Sequence, residues 1–208
     1  VKSTFSKYSG MRNHMGLTGA QAAERVLHGA GIYDVRIERV AGNLTDHYDP
    51  RNKVLRLSDA TYGQCSVAAV GVAAHECGHA IQHARGYAPL QFRSALVPVA
   101  NFGSMIAWPL IVLGLFINSQ SSALLINIGI LAFSLAVLFQ LVTLPVEYNA
   151  SGRAVRILAE TGMMQGEEIV ATKKVLNAAA LTYVASAAAA ILQLVRILIL
   201  TGGRRRDD

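Results

Sequence analysis

The chain of 208 residues is long enough for one domain, or for one soluble lobe joined to a membrane part. Its mean hydropathy is +0.37 and only 15% of its residues are charged, against about 25% in soluble domains, so the composition indicates a membrane protein. The net charge of +6 comes from scattered basic residues without an aromatic platform, which argues against nucleic-acid binding. Two cysteines form no disulfide framework, and a start at Val1 predicts a processed chain or a fragment.

Residues 1–93 are predicted to form a soluble lobe. Thr18 is a suitable N-cap for a short helix, whereas the polar residues before it indicate no fold. Residues 34–40 (DVRIERV) and 53–58 (KVLRLS) alternate polar and apolar side chains, as half-buried strands do. Turn formers fill the segment between them, so we expect a small antiparallel sheet, whose edge can hold an extended peptide.

A helix that begins after Ser66 is predicted to carry the central motif of the chain, within residues 73–83 (AAHECGHAIQH). The motif is His-Glu-x-x-His, and its histidines, His75 and His79, are one helical turn apart on the same face, about 6 Å from each other. Two imidazoles at that separation can bind one zinc ion. Glu76 lies to the side of the pair, where it can reach a water molecule without binding the metal.

The next segment is the most hydrophobic part of the chain. Residues 94–146 are 53 consecutive residues without Asp, Glu, Lys, Arg or His, enough for two membrane spans of about 20 residues each. The polar cluster at residues 118–122 predicts the turn of a transmembrane helical hairpin, and Pro98 and Pro109 are expected to kink its first helix. A hairpin buried inside a soluble protein is the alternative.

Polar residues return after the hairpin. Amphipathic patterns predict helices at residues 147–160 and 167–177, which form a helical segment between the hairpin and the next apolar stretch. The second of these helices runs into residues 178–200, which are predicted to form a third membrane helix. Because this stretch is rich in alanine, a helix packed against protein is the alternative. Residues 201–208 form a polar tail. The expected fold is therefore mostly α, embedded in a membrane, with a zincin-like motif helix.

The third metal ligand must come from outside the motif, because catalytic zinc sites have three protein ligands. Two membrane spans return the chain to the side that it left, so Glu147, the first charged residue after the hairpin, is delivered to the side of the histidines. Its rivals are His47, Asp46 and Asp49, which share one loop. His83 lies a further turn along the motif helix, and we expect it to line the pocket rather than to bind the metal.

Three segments resemble one family. Residues 44–50 (LTDHYDP), 74–83 (AHECGHAIQH) and 145–151 (PVEYNAS) are similar to those of the YugP-like neutral zinc metallopeptidases, which are bacterial membrane proteins. The resemblance runs along most of the chain. It implies a zinc peptidase with poorly defined natural substrates, and one Zn²⁺ per chain.

A more distant resemblance is to the prenyl-protein and heat-shock membrane zinc proteases. Those proteins carry Glu-x-x-x-Asp after a membrane hairpin, with the Glu binding zinc and the Asp orienting a ligand histidine. Glu147 matches the Glu, but Ser151 stands at the position of the Asp. The orienting role is therefore open among Ser151, Asn149 and Asp46.

The expected function is peptide-bond hydrolysis by a membrane-bound zinc metalloendopeptidase. Zinc would activate a water molecule, and Glu76 would take its proton as general base and pass it to the leaving amine. The donor to the carbonyl oxygen is open among Tyr148, Tyr183 and His83. The alternative is a non-catalytic membrane scaffold stapled by zinc, for which a fourth ligand such as His47 is expected. A channel is disfavoured because the spans hold no ionisable residue before Arg196.

The expected location is the bacterial plasma membrane, crossed several times, with a peptide or a membrane protein as substrate. Fifteen Lys and Arg residues lie in residues 1–96 and 147–177, which favours a cytoplasmic active site. A third span would place the arginines of residues 204–206 on the other side. The oligomeric state is not predicted.

Overall fold

The computed structural model describes residues 1–117 and 121–202, and the chain is mostly helical (73%). The chain divides into two compact units, each made of two segments. The first unit comprises Val1–Tyr87 and Val146–Thr182, and the second comprises Ala88–Pro145 and Tyr183–Asp208. The predicted chain tail beyond residue 202 and the middle of the predicted hairpin turn, residues 118–120, lie outside the described residues.

Seven helices and three strands occur in the described part of the chain. The helices are α1 (Lys2–Ser9), α2 (Gly19–Gly29), α3 (Asp59–Tyr62), α4 (Val67–Ala84), α5 (Ala88–Phe116), α6 (Ser121–Glu160) and α7 (Glu167–Gly202). The strands are β1 (Arg36–Val40), β2 (His47–Asp49) and β3 (Val54–Ser58).

Two of the predicted helix starts are confirmed by their capping hydrogen bonds. The Thr18 hydroxyl accepts a hydrogen bond from the backbone N–H of Gln21, and the side-chain oxygen of Gln21 accepts one from the backbone N–H of Thr18. Helix α2 therefore begins with a capping box. The Ser66 hydroxyl accepts from the Ala69 N–H at the start of α4. Helix α4 stops just before Gly86, which takes a left-handed φ of +62°.

The sheet is mixed, so the prediction of an antiparallel sheet is wrong. Its strand order is β1-β3-β2, with β1 parallel to β3 and β2 antiparallel to β3. The two strands read from the sequence therefore run in the same direction. Residues 41–53 connect them, a length sufficient for a parallel crossover, and the short strand β2 within that connection turns back tightly onto β3.

Helix α4 runs through the core of the first unit. It packs against α2, where Ala22, Ala23 and Val26 are almost fully buried. Its glycines allow other backbones to approach closely. A Cβ on Gly78 would lie 2.6 Å from the carbonyl oxygen of Ala150 in α6. The absence of a side chain at this position is therefore what lets α6 lie directly against the metal motif.

The second unit contains α5 and the apolar parts of α6 and α7. Helices α5, α6 and α7 are each long and apolar enough to cross a membrane. Small residues bring α5 and α6 together, since a Cβ on Gly103 would lie 2.7 Å from the Ala132 carbonyl oxygen. Pro98 and Pro109 both lie inside α5, and the predicted kinks there stay a prediction.

Helix α6 is longer than the sequence pattern predicted. Residues 147–160 were expected as a separate helix after Pro145, but they continue α6 through that proline. Residues 167–177 continue into the following apolar stretch as the single helix α7, as the sequence predicted. Each helix thus contributes its polar part to the first unit and its apolar part to the second. The switch in composition marks a change of surroundings rather than the end of a helix.

Candidate metal centre

The two motif histidines face the same way from α4. His75 and His79 are four residues apart, and their ring centroids lie 4.8 Å from each other with the rings at 85°. Both side chains are only slightly accessible, 14% and 12% exposed. A single helix therefore presents two imidazole nitrogens to one small space.

Helix α6 adds a carboxylate to that space. The Glu147 side chain is 3% exposed, and its Oε2 lies 3.3 Å from His75 Nε2 and 3.6 Å from His79 Nε2. Among the described residues, these three form a group whose ligand atoms all lie within 4.8 Å of one another. In a tetrahedral zinc site with bonds of about 2.0–2.1 Å, neighbouring ligand atoms are separated by about 3.3 Å. The observed distances and the donor types therefore fit a zinc ion.

A second hydrogen-bond partner orients each histidine. Ser151 Oγ lies 3.0 Å from His75 Nδ1, and Gln82 Oε1 lies 3.0 Å from His79 Nδ1. Metal-binding histidines are typically held in this way through the nitrogen that does not face the metal. In both residues the remaining nitrogen, Nε2, points to Glu147.

The direction of the hydrogen bonds around Gln82 is determined by its neighbours. Arg153 Nε can only donate, and it donates to Asn149 Oδ1 over 2.7 Å. The Gln82 amide donates to the same oxygen over 3.0 Å and to the Val146 carbonyl over 2.9 Å. Its Oε1 must therefore accept from His79 Nδ1, so the neutral His79 ring has its lone pair on Nε2.

Two opposing effects act on the charge of His79 in the metal-free protein. Burial disfavours its charged form, but the hydrogen bond to Glu147 and the negative charges of Glu76 and Glu147 outweigh burial. The pKa of His79 is therefore raised above its ordinary value. The neighbouring carboxylates of Glu76 and Glu147 thus favour the protonated form of this ring.

Glu76 borders the centre without taking part in its contacts. It is half-buried on α4, next to His75, and its carboxylate forms no hydrogen bond or ion pair with any residue of 1–117 or 121–202. A carboxylate in that state can accept a proton from a nearby water molecule.

The other predicted residues on α4 and α6 either bond to Gln82 or lie at the surface. Asn149 bonds Gln82 rather than His75. His83 is exposed, and its Nδ1 lies 2.9 Å from the hydroxyl of Tyr48 on β2. Tyr148 is 48% exposed. Burial, together with nearby Asp34, raises the pKa of Tyr48 to about 12, so its hydroxyl stays protonated and can donate to His83.

The loop residues have other partners. Both carboxylate oxygens of Asp46 accept from Ser58, from its N–H and from its hydroxyl, so Asp46 closes the loop onto the end of β3. His47 is exposed, and its Nδ1 lies 2.8 Å from the Thr45 carbonyl oxygen. Neither belongs to the three-residue group found among the described residues. Tyr183, predicted as a possible oxyanion donor, belongs to the second unit.

The role of Gln82 was not predicted from the sequence. Its position three residues after His79 on the same helix face was the available signal, because side chains at that spacing can meet. The identity of its other partners depends on where α6 lies, which the local sequence does not show.

Comparisons with known proteins identify the family of the chain. The profile of a family described as "Putative neutral zinc metallopeptidase" matches residues 1–202. The chain is 47% identical over 205 residues to "Putative membrane protease YugP" of Bacillus subtilis (strain 168), an alignment covering 98% of this chain and 90% of that protein. No solved structure matches. The chain therefore belongs to the family of putative neutral zinc metallopeptidases.

Proposed function

We propose that this protein is a membrane-bound zinc metalloendopeptidase, with one zinc ion held by His75, His79 and Glu147. The observation that carries the proposal is that one ligand atom from each of these residues lies within 4.8 Å of the other two, and that the Glu147 carboxylate among them is buried. When bound there, zinc polarises the scissile carbonyl group and lowers the pKa of water towards neutrality.

Glu76 is the proposed general base and then the general acid. Its carboxylate takes a proton from the attacking water as the water oxygen bonds to the carbonyl carbon. It then gives that proton to the amide nitrogen as the C–N bond breaks, so the products are a carboxylic acid and an amine. Ser151 and Gln82 hold the histidines in place during these steps. The proposed donor to the carbonyl oxygen is one of His83, Tyr148 and Tyr183.

The proposed substrate is a peptide or a membrane protein bound as an extended strand. Strand β2 is at one edge of the sheet, so one side of its backbone pairs with no other strand in the described part of the chain. Its residue Tyr48 contacts His83, which lies one helical turn beyond His79 on α4. A strand added to β2 would therefore run beside the helix that carries the metal motif.

The test of the mechanism is Glu76→Gln, with Glu24→Gln as a matched control. Glu24 is an exposed helical glutamate with no hydrogen bond or ion pair to another described residue. Both variants and the wild type are purified in detergent, loaded with zinc, checked for equal metal content and assayed on a peptide library. We expect Glu76→Gln to lose about 10²–10⁴-fold in rate and Glu24→Gln to lose nothing. Equal rates for wild type and Glu76→Gln would refute the mechanism and favour a zinc-stapled scaffold.

The proposed location is the bacterial plasma membrane, with the metal centre on the cytoplasmic side. The charge distribution between the apolar segments supports this orientation. A cysteine at Arg51, an exposed turn residue of the first unit, tests it in a Cys65→Ser background. We expect an impermeant thiol reagent to label Arg51→Cys only after the cells are opened. Labelling of intact cells would reverse the orientation.

A further inference from the structure

A basic cavity lies in the first unit, apart from the residues assigned to the metal. It has a volume of about 340 Å³ and is lined by α2, the end of α4 and the last turns of α6. Four arginines contribute to its walls, namely Arg25, Arg85, Arg153 and Arg156. Among the described residues, none of the four forms an ion pair with a carboxylate. Glu160 also lines the cavity and can neutralise at most one of them.

Contacts with neighbouring residues hold one of the four arginines in place. Arg153 is half-buried, and its Nε donates to Asn149 while its guanidinium lies 5.8 Å from the ring centroid of Tyr87. These contacts restrain one guanidinium and leave its terminal nitrogens available. Val26 and Ile81, 1% and 2% exposed, form the apolar part of the wall.

Arg25, Arg85 and Arg156 are exposed, so solvent screens part of the repulsion among the four guanidinium groups, and an anion in the cavity would reduce it further. The planar fork of arginine matches the oxygens of a phosphate group and can form two parallel hydrogen bonds to it. Inorganic phosphate and phosphate monoesters offer three or four unesterified oxygens, whereas a phospholipid phosphodiester and a carboxylate each offer two. We propose that this cavity binds a phosphate group, from either a phospholipid headgroup or a soluble phosphate compound.

The chain position of Arg85 makes the lipid source relevant. Arg85 is three residues before Ala88, where the apolar helix α5 begins. Basic residues next to membrane spans in the sequence commonly bind anionic headgroups. The soluble source has the same chemistry, so the experiment must distinguish the two.

Phosphate binding here does not depend on the proposed peptidase activity, because no proposed metal ligand and no proposed catalytic group lines the cavity. It is therefore expected in the metal-free protein as well. Failure of the peptidase assay would leave this inference intact, and failure of phosphate binding would leave the peptidase proposal intact.

The experiment uses the full chain in a neutral detergent, with and without zinc, at constant ionic strength. Calorimetry measures binding of inorganic phosphate, of short-chain phosphatidylglycerol and of short-chain phosphatidylcholine, with chloride and acetate as reference anions. The test variant is Arg85→Gln/Arg156→Gln. The control Arg36→Gln/Arg51→Gln removes the same charge from exposed residues of the same unit that lie outside the cavity.

We expect a phosphate-bearing probe to bind at least tenfold more weakly to the cavity variant than to the control variant. Tighter binding of phosphatidylglycerol than of inorganic phosphate would assign the site to a lipid headgroup, and the reverse order to a soluble phosphate compound. Equal binding by the two double variants, no binding beyond chloride, or acetate binding as tight as phosphate would overturn the proposal. If the cavity variant does not fold, the single variant Arg156→Gln replaces it, against Arg51→Gln.

Discussion

Replacing Gly78 by alanine should separate α4 from α6 at the metal centre. Gly78 lies between the two motif histidines, and a Cβ there would lie 2.6 Å from the Ala150 carbonyl oxygen. Ordinary contact begins at 3.4 Å, so the helix backbones must move apart by about 0.8 Å. Ala150 is one helical turn after Glu147, so the carboxylate moves away from the histidines with it.

Two effects of Gly78→Ala oppose each other. Overpacking costs about 1–3 kcal/mol, and the better helix propensity of alanine returns about 1 kcal/mol. We expect a net loss of about 0–2 kcal/mol in the free energy of unfolding. Zinc affinity should fall at least tenfold, because a ligand displaced by 0.8 Å no longer meets the bond-length requirement of about 2 Å.

Gly152→Ala is the matched control for this prediction. Gly152 is also helical, in α6, but a Cβ there would meet nothing within 4 Å. We expect it to stabilise the protein by up to about 1 kcal/mol and to leave zinc affinity unchanged. Unfolding in detergent and competition with a chromophoric chelator measure the two quantities. If Gly78→Ala behaved like Gly152→Ala in both, close backbone packing would not be what positions the centre.

Three further predictions follow from single contacts. Gln82→Leu should weaken zinc binding by about 10–100-fold, because His79 loses the partner of its Nδ1; wild-type affinity in the chelator assay would remove Gln82 from the centre. Ser151→Ala should weaken it by about tenfold, and an unchanged value would show that the serine contact is dispensable. The hydrogen bond from the Asn52 side chain holds the pKa of Asp49 at about 2. The ionised Asp49 therefore stabilises the folded protein fully above the ordinary carboxyl pKa of about 4, and this stabilisation is lost as pH falls from there towards 2. Asp49→Asn should therefore show a shallower fall of melting temperature over that range, and an identical slope would contradict the assignment.

Local features of the fold were predictable from the sequence, and features set by distant segments were not. The caps at Thr18 and Ser66 depend on a few neighbouring residues, and both are confirmed. The direction of β1 relative to β3 depends on the path of residues 41–53, so the antiparallel prediction had no local basis and is wrong. A new helix was predicted after Pro145 because the composition changes there, but Pro145 lies inside the continuous helix α6.

The candidate site shows the same division. The spacing of His75 and His79 follows from helix geometry alone. Glu147 required an argument about chain topology, and the structure brings it within 3.6 Å of both histidines, while its role as a ligand stays a proposal. The role of Gln82 was not predicted because its partners are on α6. Helix α6 can lie close to α4 only because Gly78 has no side chain.

The two histidines differ in how freely their protons can move. Because Arg153 can only donate, the hydrogen bonds that link it through Asn149 and Gln82 to His79 each have a fixed direction. The neutral His79 ring is therefore left with a single tautomer. The Ser151 hydroxyl can rotate to donate or to accept, so His75 can exchange tautomers without losing its partner. In their neutral forms, His79 therefore presents its Nε2 lone pair to Glu147 in a single tautomer, whereas His75 has two tautomers, only one of which places the lone pair on Nε2.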